Sequence, residues 1–292
     1  MTPFHRRTIR IKTGDENPVR ADLYMPPRQA GICILCPGFK GHRNWGFFPY
    51  LAERLAGAGF AALTIDFSHN GTIPSDDGPG NTVSQLYCDP GRFSRNTISR
   101  ECDDLRAVIR AVQDDGLDGA LDRTLPLALF GHSRAGVPVI LMAHSFSQVR
   151  AIASWGTPVH PDIFSEEQKR KWRETGALEF TDAATGTLLR VGTTYLDDIE
   201  QNSRRFDLAR AVTDLATPYL IVNGTADIPV PPEAAIRLFR ANSGNNTARL
   251  LLVRASHTFG AAGTAFTPTV ALERAAGETV DWFRTYTPKG AY

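Results

Sequence analysis

Little in this sequence commits the chain to a special environment. Lys and Arg number 32 against 31 Asp and Glu, a formal net charge of +1. That leaves no surplus of cations to neutralise a phosphate backbone, so no nucleic-acid partner is expected. Long apolar runs are missing too: no stretch stays hydrophobic for the roughly 20 residues that a bilayer-crossing helix needs, and no membrane association is expected. The basic segment Met1 to Arg7 is followed, from Thr8 to Pro18, by nothing resembling the apolar core of a secretion signal. A cytoplasmic location is expected on that ground.

Cysteine is scarce. The four are Cys33, Cys36, Cys88 and Cys102, and the first two form a C-x-x-C, the spacing of a redox or zinc site. Both lie inside an apolar run with strand character, where residues three apart face opposite sides of a sheet, so the thiols diverge. No second Cys or His pair stands at zinc spacing, and no metal is expected. Internal repeats and low-complexity linkers are likewise missing. With 292 residues, 42% of them hydrophobic, positions 1–292 read as a single domain near the upper end of what one core holds.

Periodicity gives the fold class. His5 to Lys12 and Val19 to Met25 alternate between polar and apolar residues, as two antiparallel edge strands do. After Pro26 and Pro27 the pattern changes to short, nearly continuous apolar runs: Gly31 to Cys36, Ala61 to Asp66, Leu125 to Phe130, Val149 to Ser154, Tyr219 to Val222 and Ala248 to Val253. Such runs are the mark of parallel strands covered on both faces. Helical patterns separate them, over Phe47 to Ala58, Thr97 to Val112, Ala135 to Ser145, Pro232 to Ala241 and Thr269 to Tyr286. Alternation of strand and helix predicts an α/β fold: a doubly wound, mostly parallel sheet flanked by helices, with ligands bound outside the carboxyl ends of the strands. The last helix suits either the sheet or a dimer face, so the sequence leaves the oligomeric state open.

One interval breaks the rhythm. Between the strand ending near Trp155 and the strand opening at Pro218 no further strand signal occurs, and residues 156–215 read as a largely helical cap inserted after the sixth strand. Ser165-Glu166-Glu167-Gln168 has the form of a helix start, and Tyr195 to Ala211 carries Leu196, Ile199, Phe206 and Leu208 at helical spacing.

The strongest chemical signal is Phe130-Gly131-His132-Ser133-Arg134-Ala135-Gly136, placed between an apolar strand and a helix. A serine on a tight strand-to-helix turn needs small neighbours two residues to either side, and Gly131 and Ala135 supply them. Its hydroxyl is a weak nucleophile until a base takes the proton, and the base needs an acceptor that fixes its tautomer. In the nucleophile-elbow arrangement the chain order is Ser, acid, His. Asp227, after the strand Tyr219 to Val222, and His257, after the strand Ala248 to Val253, keep that order. Asp197, Asp198 and Asp214 also lie between Ser133 and His257, but within or at the end of the cap, where solvated surface is the expected role.

Acyl transfer also calls for donors aimed at the developing oxyanion. The backbone N–H of Arg134 is one candidate and that of Phe39, in the turn Cys36-Pro37-Gly38-Phe39-Lys40-Gly41, is the other. Gly38, Lys40, His69, His132, Trp172 and Tyr195 are substrate-contact candidates, although His132 and Arg134 fit packing and capping roles beside the elbow better than catalytic ones. Phe164, Trp172, Leu178, Phe180, Leu188, Leu189 and Tyr195 give the cap enough apolar material either for an acyl or aryl pocket or for a small core of its own.

Together, the segment Gly38 to Gly41 through Trp45-Gly46-Phe47-Phe48-Pro49, the turn Phe67-Ser68-His69-Asn70-Gly71, the elbow and the two partner loops resemble the dienelactone-hydrolase and prolyl-oligopeptidase-like branch of the α/β-hydrolase superfamily. The likeness spans nearly the whole chain and is strongest to stand-alone serine esterases, including those that resemble feruloyl and cinnamoyl esterases. It implies ester hydrolysis on a small-molecule substrate through Ser133, His257 and Asp227, with no metal and no organic cofactor. Two departures stand out: Pro37 takes the place of a His common before the oxyanion-turn glycine, and Ser133 takes the place of the dienelactone-hydrolase cysteine. No propeller domain is expected before the catalytic unit, unlike in prolyl oligopeptidases. Amide or peptide hydrolysis on the same triad and a catalytically silent scaffold that binds a ligand are the competing readings, and perhydrolase or lyase chemistry on the triad is a further one.

Overall fold

The computed structural model describes residues 4–14, 16–74, 86–181, 186–242, 244, 246–261 and 266–287. Its six apolar runs and two alternating segments form an eight-stranded sheet. In chain order the strands are β1 (His5–Ile11), β2 (Val19–Met25), β3 (Gly31–Cys36), β4 (Phe60–Asp66), β7 (Leu127–His132), β8 (Val149–Trp155), β11 (Tyr219–Gly224) and β12 (Ala248–Val253). They lie side by side as β1-β2-β4-β3-β7-β8-β11-β12. β1 pairs with β2 and β2 with β4 antiparallel; every other neighbouring pair is parallel. β5 (Thr72–Pro74) and β6 (Leu86–Cys88) form a separate antiparallel pair.

Pleating sends successive side chains of β3 to opposite faces. Ile32, Ile34 and Cys36 join one apolar cluster, with α3 (Ile98–Asp114), α5 (Gly136–Ser145), α8 (Leu208–Thr213) and α9 (Pro232–Ala241). Cys33 and Leu35 join the other, with α1 (Phe48–Gly57) and α10 (Val270–Tyr286). The C-x-x-C thiols therefore point to different layers, and burial pushes both well above the usual thiol range. α10 lays Leu272, Ala275, Ala276, Val280 and Phe283 against the sheet.

Local chemistry starts the helices where the sequence pattern places them. Pro49 stands in the first turn of α1, where a missing N–H costs nothing. The Thr97 hydroxyl accepts from Arg100 N at 3.1 Å to cap α3. Thr269 caps α10 and also donates its hydroxyl to Phe259 O at 2.9 Å, tying that helix to the loop after β12.

The segment between β8 and β11 holds three helices: α6 (Glu166–Thr175), α7 (Thr193–Gln201) and α8. Ser165 opens α6 with a reciprocal capping box to Gln168. The expectation of no strand here needs correction. β9 (Ala177–Thr181) and β10 (Leu188–Gly192) pair antiparallel, Leu178 opposite Val191 and Phe180 opposite Leu189. Each is only five residues long and carries a charge mid-strand, Glu179 facing Arg190, so the period-2 signal is weak. The single helical stretch expected from Tyr195 to Ala211 is broken as well, because Asp207 caps a new helix by accepting from Arg210 N. Two further short helices are α2 (Pro90–Ser94) and α4 (Gly116–Gly119). Among the described residues no helix is long and apolar enough to cross a membrane.

Candidate active site

β7 ends in the elbow. Ser133 adopts φ +54°, a left-handed conformation that costs a non-glycine residue about 1 kcal/mol or more. A Cβ at Gly131 would lie 2.7 Å from Ala135 O and 2.9 Å from Gly136 N, so only glycine lets the chain double back here. Gly136 is equally constrained, by the side chain of Thr157, and it is the residue that gives α5 its close approach to the loop after β8. Thr157 in turn donates its hydroxyl to Ser133 O at 3.1 Å. The nucleophile candidate is thereby braced by a residue that the sequence reading did not single out, though Gly156-Thr157 sits at a strand's carboxyl end where such a search belongs.

Asp227 and His257 meet on the loops after β11 and β12. His257 Nδ1–H donates to Asp227 Oδ2 at 2.8 Å, and Val230 N donates to Asp227 Oδ1 at 2.8 Å, so both oxygens of this buried carboxylate are engaged. The bond to Nδ1 fixes the His257 tautomer and leaves Nε2 as the acceptor. Asn223 Nδ2 holds Gly224 O and Val230 O, closing the acid loop on itself. Gly156, at φ +58°, lies so near the pair that a Cβ would be 3.0 Å from Asp227 Oδ2 and 3.1 Å from His257 Nδ1. No hydrogen bond joins Ser133 Oγ to His257 among the described residues.

The turn after β3 approaches the elbow from the other side. A Cβ on Gly38 would lie 2.8 Å from His132 O, 2.9 Å from Ser133 Cβ and 3.5 Å from Ser133 Oγ. Gly41 N closes the turn on Gly38 O at 2.9 Å, with Lys40 at φ +61°. Asn70 Nδ2 holds Gly41 O at 3.3 Å. Beyond the turn, Arg43 is buried between Asp22 and Asp66 and sends its backbone N–H to Asp66 Oδ1 at 2.7 Å.

The remaining candidates divide by burial. Phe39 and Lys40 are exposed on the turn, and Lys40 Nζ lies 5.4 Å over the ring of Phe180. His69 is buried, with Nδ1 2.8 Å from Ser68 Oγ. His132 packs among Trp45, Phe47 and Phe48, and its Nε2–H donates to His257 O at 3.0 Å. Burial, reinforced by the neighbouring His257, pushes its pKa down to about 3. His132 is thus a neutral brace for the His257 loop. Trp172 donates Nε1–H to Val191 O at 2.7 Å and stacks with Tyr195, both buried, so these two rings pack into the core between the sheet and the segment that follows β8. Asp198 is not simply solvated as expected: it accepts from Ser99 N at 2.9 Å and from Ser99 Oγ at 2.5 Å. Among the described residues no group of three or more His, Cys, Asp or Glu is placed to hold a metal ion.

A mostly parallel sheet with a serine elbow after its fifth strand in chain order, and acid and histidine on the loops after its last two, decides the architecture. The fold is that of the α/β-hydrolases. No family model and no curated protein matches the chain. Solved structures do. The esterase domain of a Rhodothermus marinus protein is 19% identical, with 97% of this chain and 99% of that one covered at a TM-score of 0.63. A dienelactone hydrolase from Anabaena variabilis is 18% identical over 97% and 99%, at a TM-score of 0.63. Est1E from Butyrivibrio proteoclasticus, in a structure with ferulic acid bound, is 21% identical over 95% and 98%, at a TM-score of 0.66. At such identities the α/β-hydrolase fold is what is shared.

Proposed function

We propose that the protein is a serine carboxylic-ester hydrolase acting through Ser133, His257 and Asp227. The observation that carries this reading is the convergence of a positive-φ serine with a His257 Nδ1 to Asp227 Oδ2 bond of 2.8 Å at the carboxyl ends of β7, β11 and β12. His257 Nε2 takes the proton as Ser133 Oγ attacks the ester carbonyl, and the oxyanion that forms accepts the N–H groups of Phe39 and Arg134. Collapse of the tetrahedral intermediate expels the alcohol, which leaves with the proton from His257. Water, deprotonated by the same imidazole, then attacks the acyl-enzyme and releases the acid and the free serine. The Ser133 to His257 contact closes as the carbonyl is seated, as catalytic hydrogen bonds commonly do.

Small acyl and aryl esters are the proposed substrate class. The turn carrying Phe39 is flanked by Phe93 and Phe180, with ring centroids 5.4 and 5.1 Å from Phe39, and this apolar wall suits an acyl or aromatic group beside the nucleophile. Ferulic acid in Est1E supports the aromatic option. The test is hydrolysis of p-nitrophenyl esters from acetate to decanoate, with a ferulate ester added, by the wild type and Ser133→Ala. Turnover that disappears in the variant is the expected result. Equal rates in the two proteins, or none in either, would overturn the reading.

A further inference from the structure

The side chain that follows the nucleophile is charged, buried and tied to three parts of the fold. The Arg134 side chain is 11% exposed, and its guanidinium pairs with Glu101, 2% exposed, in the first turn of α3. The same guanidinium lies 4.7 Å over the ring of Phe39, on the turn after β3, and 5.6 Å over that of Tyr195, on α7. Glu101 is itself fixed: the helix N-terminus favours its charge, and Asn96 Nδ2 donates to it at 2.9 Å. On α7, one turn beyond Tyr195, Asp198 grips the same end of α3 through Ser99.

This arrangement is a poor source of stability. Burial pushes the Glu101 carboxyl up against the pull of Arg134 and Asn96. Glu101 Oε2, Arg134 Nε and Asn96 Oδ1 are buried with no hydrogen-bond partner. Apolar residues of similar volume generally serve stability as well as a buried ion pair does, and unpaired buried polar atoms are costly. What distinguishes the pair is its position. Of the two residues whose N–H groups are assigned to the oxyanion, 134 carries this guanidinium and 39 lays its ring beneath it.

We infer that Glu101 is a positioning residue: by holding the Arg134 guanidinium between Phe39 and Tyr195, it keeps the backbone of residues 39 and 134 in register as converging oxyanion donors and links them to cap helix α7. The inference rests on the esterase reading. Donors aimed at the oxyanion act in the transition state and hardly at all in the ground state, so the signature is a loss of kcat at constant KM.

Two variants test it, each compared with wild type per active site, titrated with a fluorophosphonate. Glu101→Gln keeps the size of the side chain and an acceptor oxygen while removing the charge. Its kcat is expected to fall about 10- to 100-fold with KM within about twofold, part of the factor that removing an oxyanion donor outright costs. The double variant Glu101→Leu, Arg134→Met removes both buried charges and keeps the N–H of residue 134, so it folds even where the single variant leaves an orphaned guanidinium. The same loss of kcat is expected of it. A purely structural role would lower the melting temperature and the fraction of titratable sites and leave kcat per site alone. Either folded variant with kcat within about threefold of wild type, or a change confined to KM, overturns the inference while the esterase reading stands. Absence of ester turnover in the wild type itself removes the esterase reading and this inference with it.

Discussion

Replacing Gly38 by alanine probes the proposed oxyanion turn with a single methyl group. That Cβ would sit 2.8 Å from His132 O and 2.9 Å from Ser133 Cβ, both on the rigid elbow at the end of a central strand. Ordinary contact needs roughly 3.5 Å, so the turn must withdraw by about 0.6 Å or more. An oxyanion donor works within about 2.7–3.1 Å of the oxygen, and a displacement of that size takes the Phe39 N–H out of range. The expected loss is therefore that of a whole donor, on the order of 10²-fold in kcat, with KM changed by no more than a few-fold. Overpacking adds about 1–3 kcal/mol of destabilisation, visible as a lower melting temperature. Steady-state kinetics on p-nitrophenyl acetate, normalised to fluorophosphonate-labelled serine, separates the two effects. Gly57→Ala is the control, because a Cβ there meets nothing within 4 Å. A folded Gly38→Ala enzyme with kcat within threefold of wild type would refute the placement of an oxyanion donor on this turn.

Two further outcomes follow from the site. Gly156→Ala, at φ +58° and with its new Cβ about 3 Å from both Asp227 Oδ2 and His257 Nδ1, is expected to part that pair and lower kcat at least about 10-fold; unchanged turnover in a stably folded variant would contradict it. His132 sets a pH dependence of stability. Its folded-state pKa is depressed to about 3 from 6.5, so the folded protein binds fewer protons than the unfolded chain between those values. The stabilisation is complete above about pH 6.5 and is lost as pH falls towards 3. Between pH 7 and 5 the wild type should lose about 2 kcal/mol more stability than His132→Gln, measured by urea unfolding; parallel losses in the two proteins would show that His132 titrates normally.

Much of this was legible in the sequence because it is written in periodicity and chain order. Alternating β1 and β2, the six apolar runs and the chain order of serine, acid and histidine, each placed after a strand, all depend on local pattern. Strand ends drifted by up to two residues, as at β7, which runs from Leu127 to His132 and not from Leu125 to Phe130. The cap hairpin escaped notice because five-residue strands with a charge in the middle carry too few apolar positions to show a period of two. Glu101 and Arg134 were invisible as a pair for a different reason: 33 positions separate them, and only the packing of α3 beside the elbow brings carboxylate and guanidinium together. Local pattern alone likewise makes Asp198 a solvated residue, whereas the fold sets Ser99 against it.

The bridge of Phe180 to Phe39 and Phe93 has a practical meaning for anyone who wishes to redesign substrate range. The segment between β8 and β11 is the obvious place to diversify, yet its hairpin leans directly on the turn proposed to carry an oxyanion donor, with the Phe180 and Phe39 centroids 5.1 Å apart. Library positions on this hairpin are therefore not modular. Under the proposed function, a substitution chosen for pocket shape is expected also to change turnover on substrates it never touches, so that screens scored on one ester confound the two. Holding Phe180, Tyr195 and Asp198 constant while varying the cap's outward residues would let selection act on recognition alone.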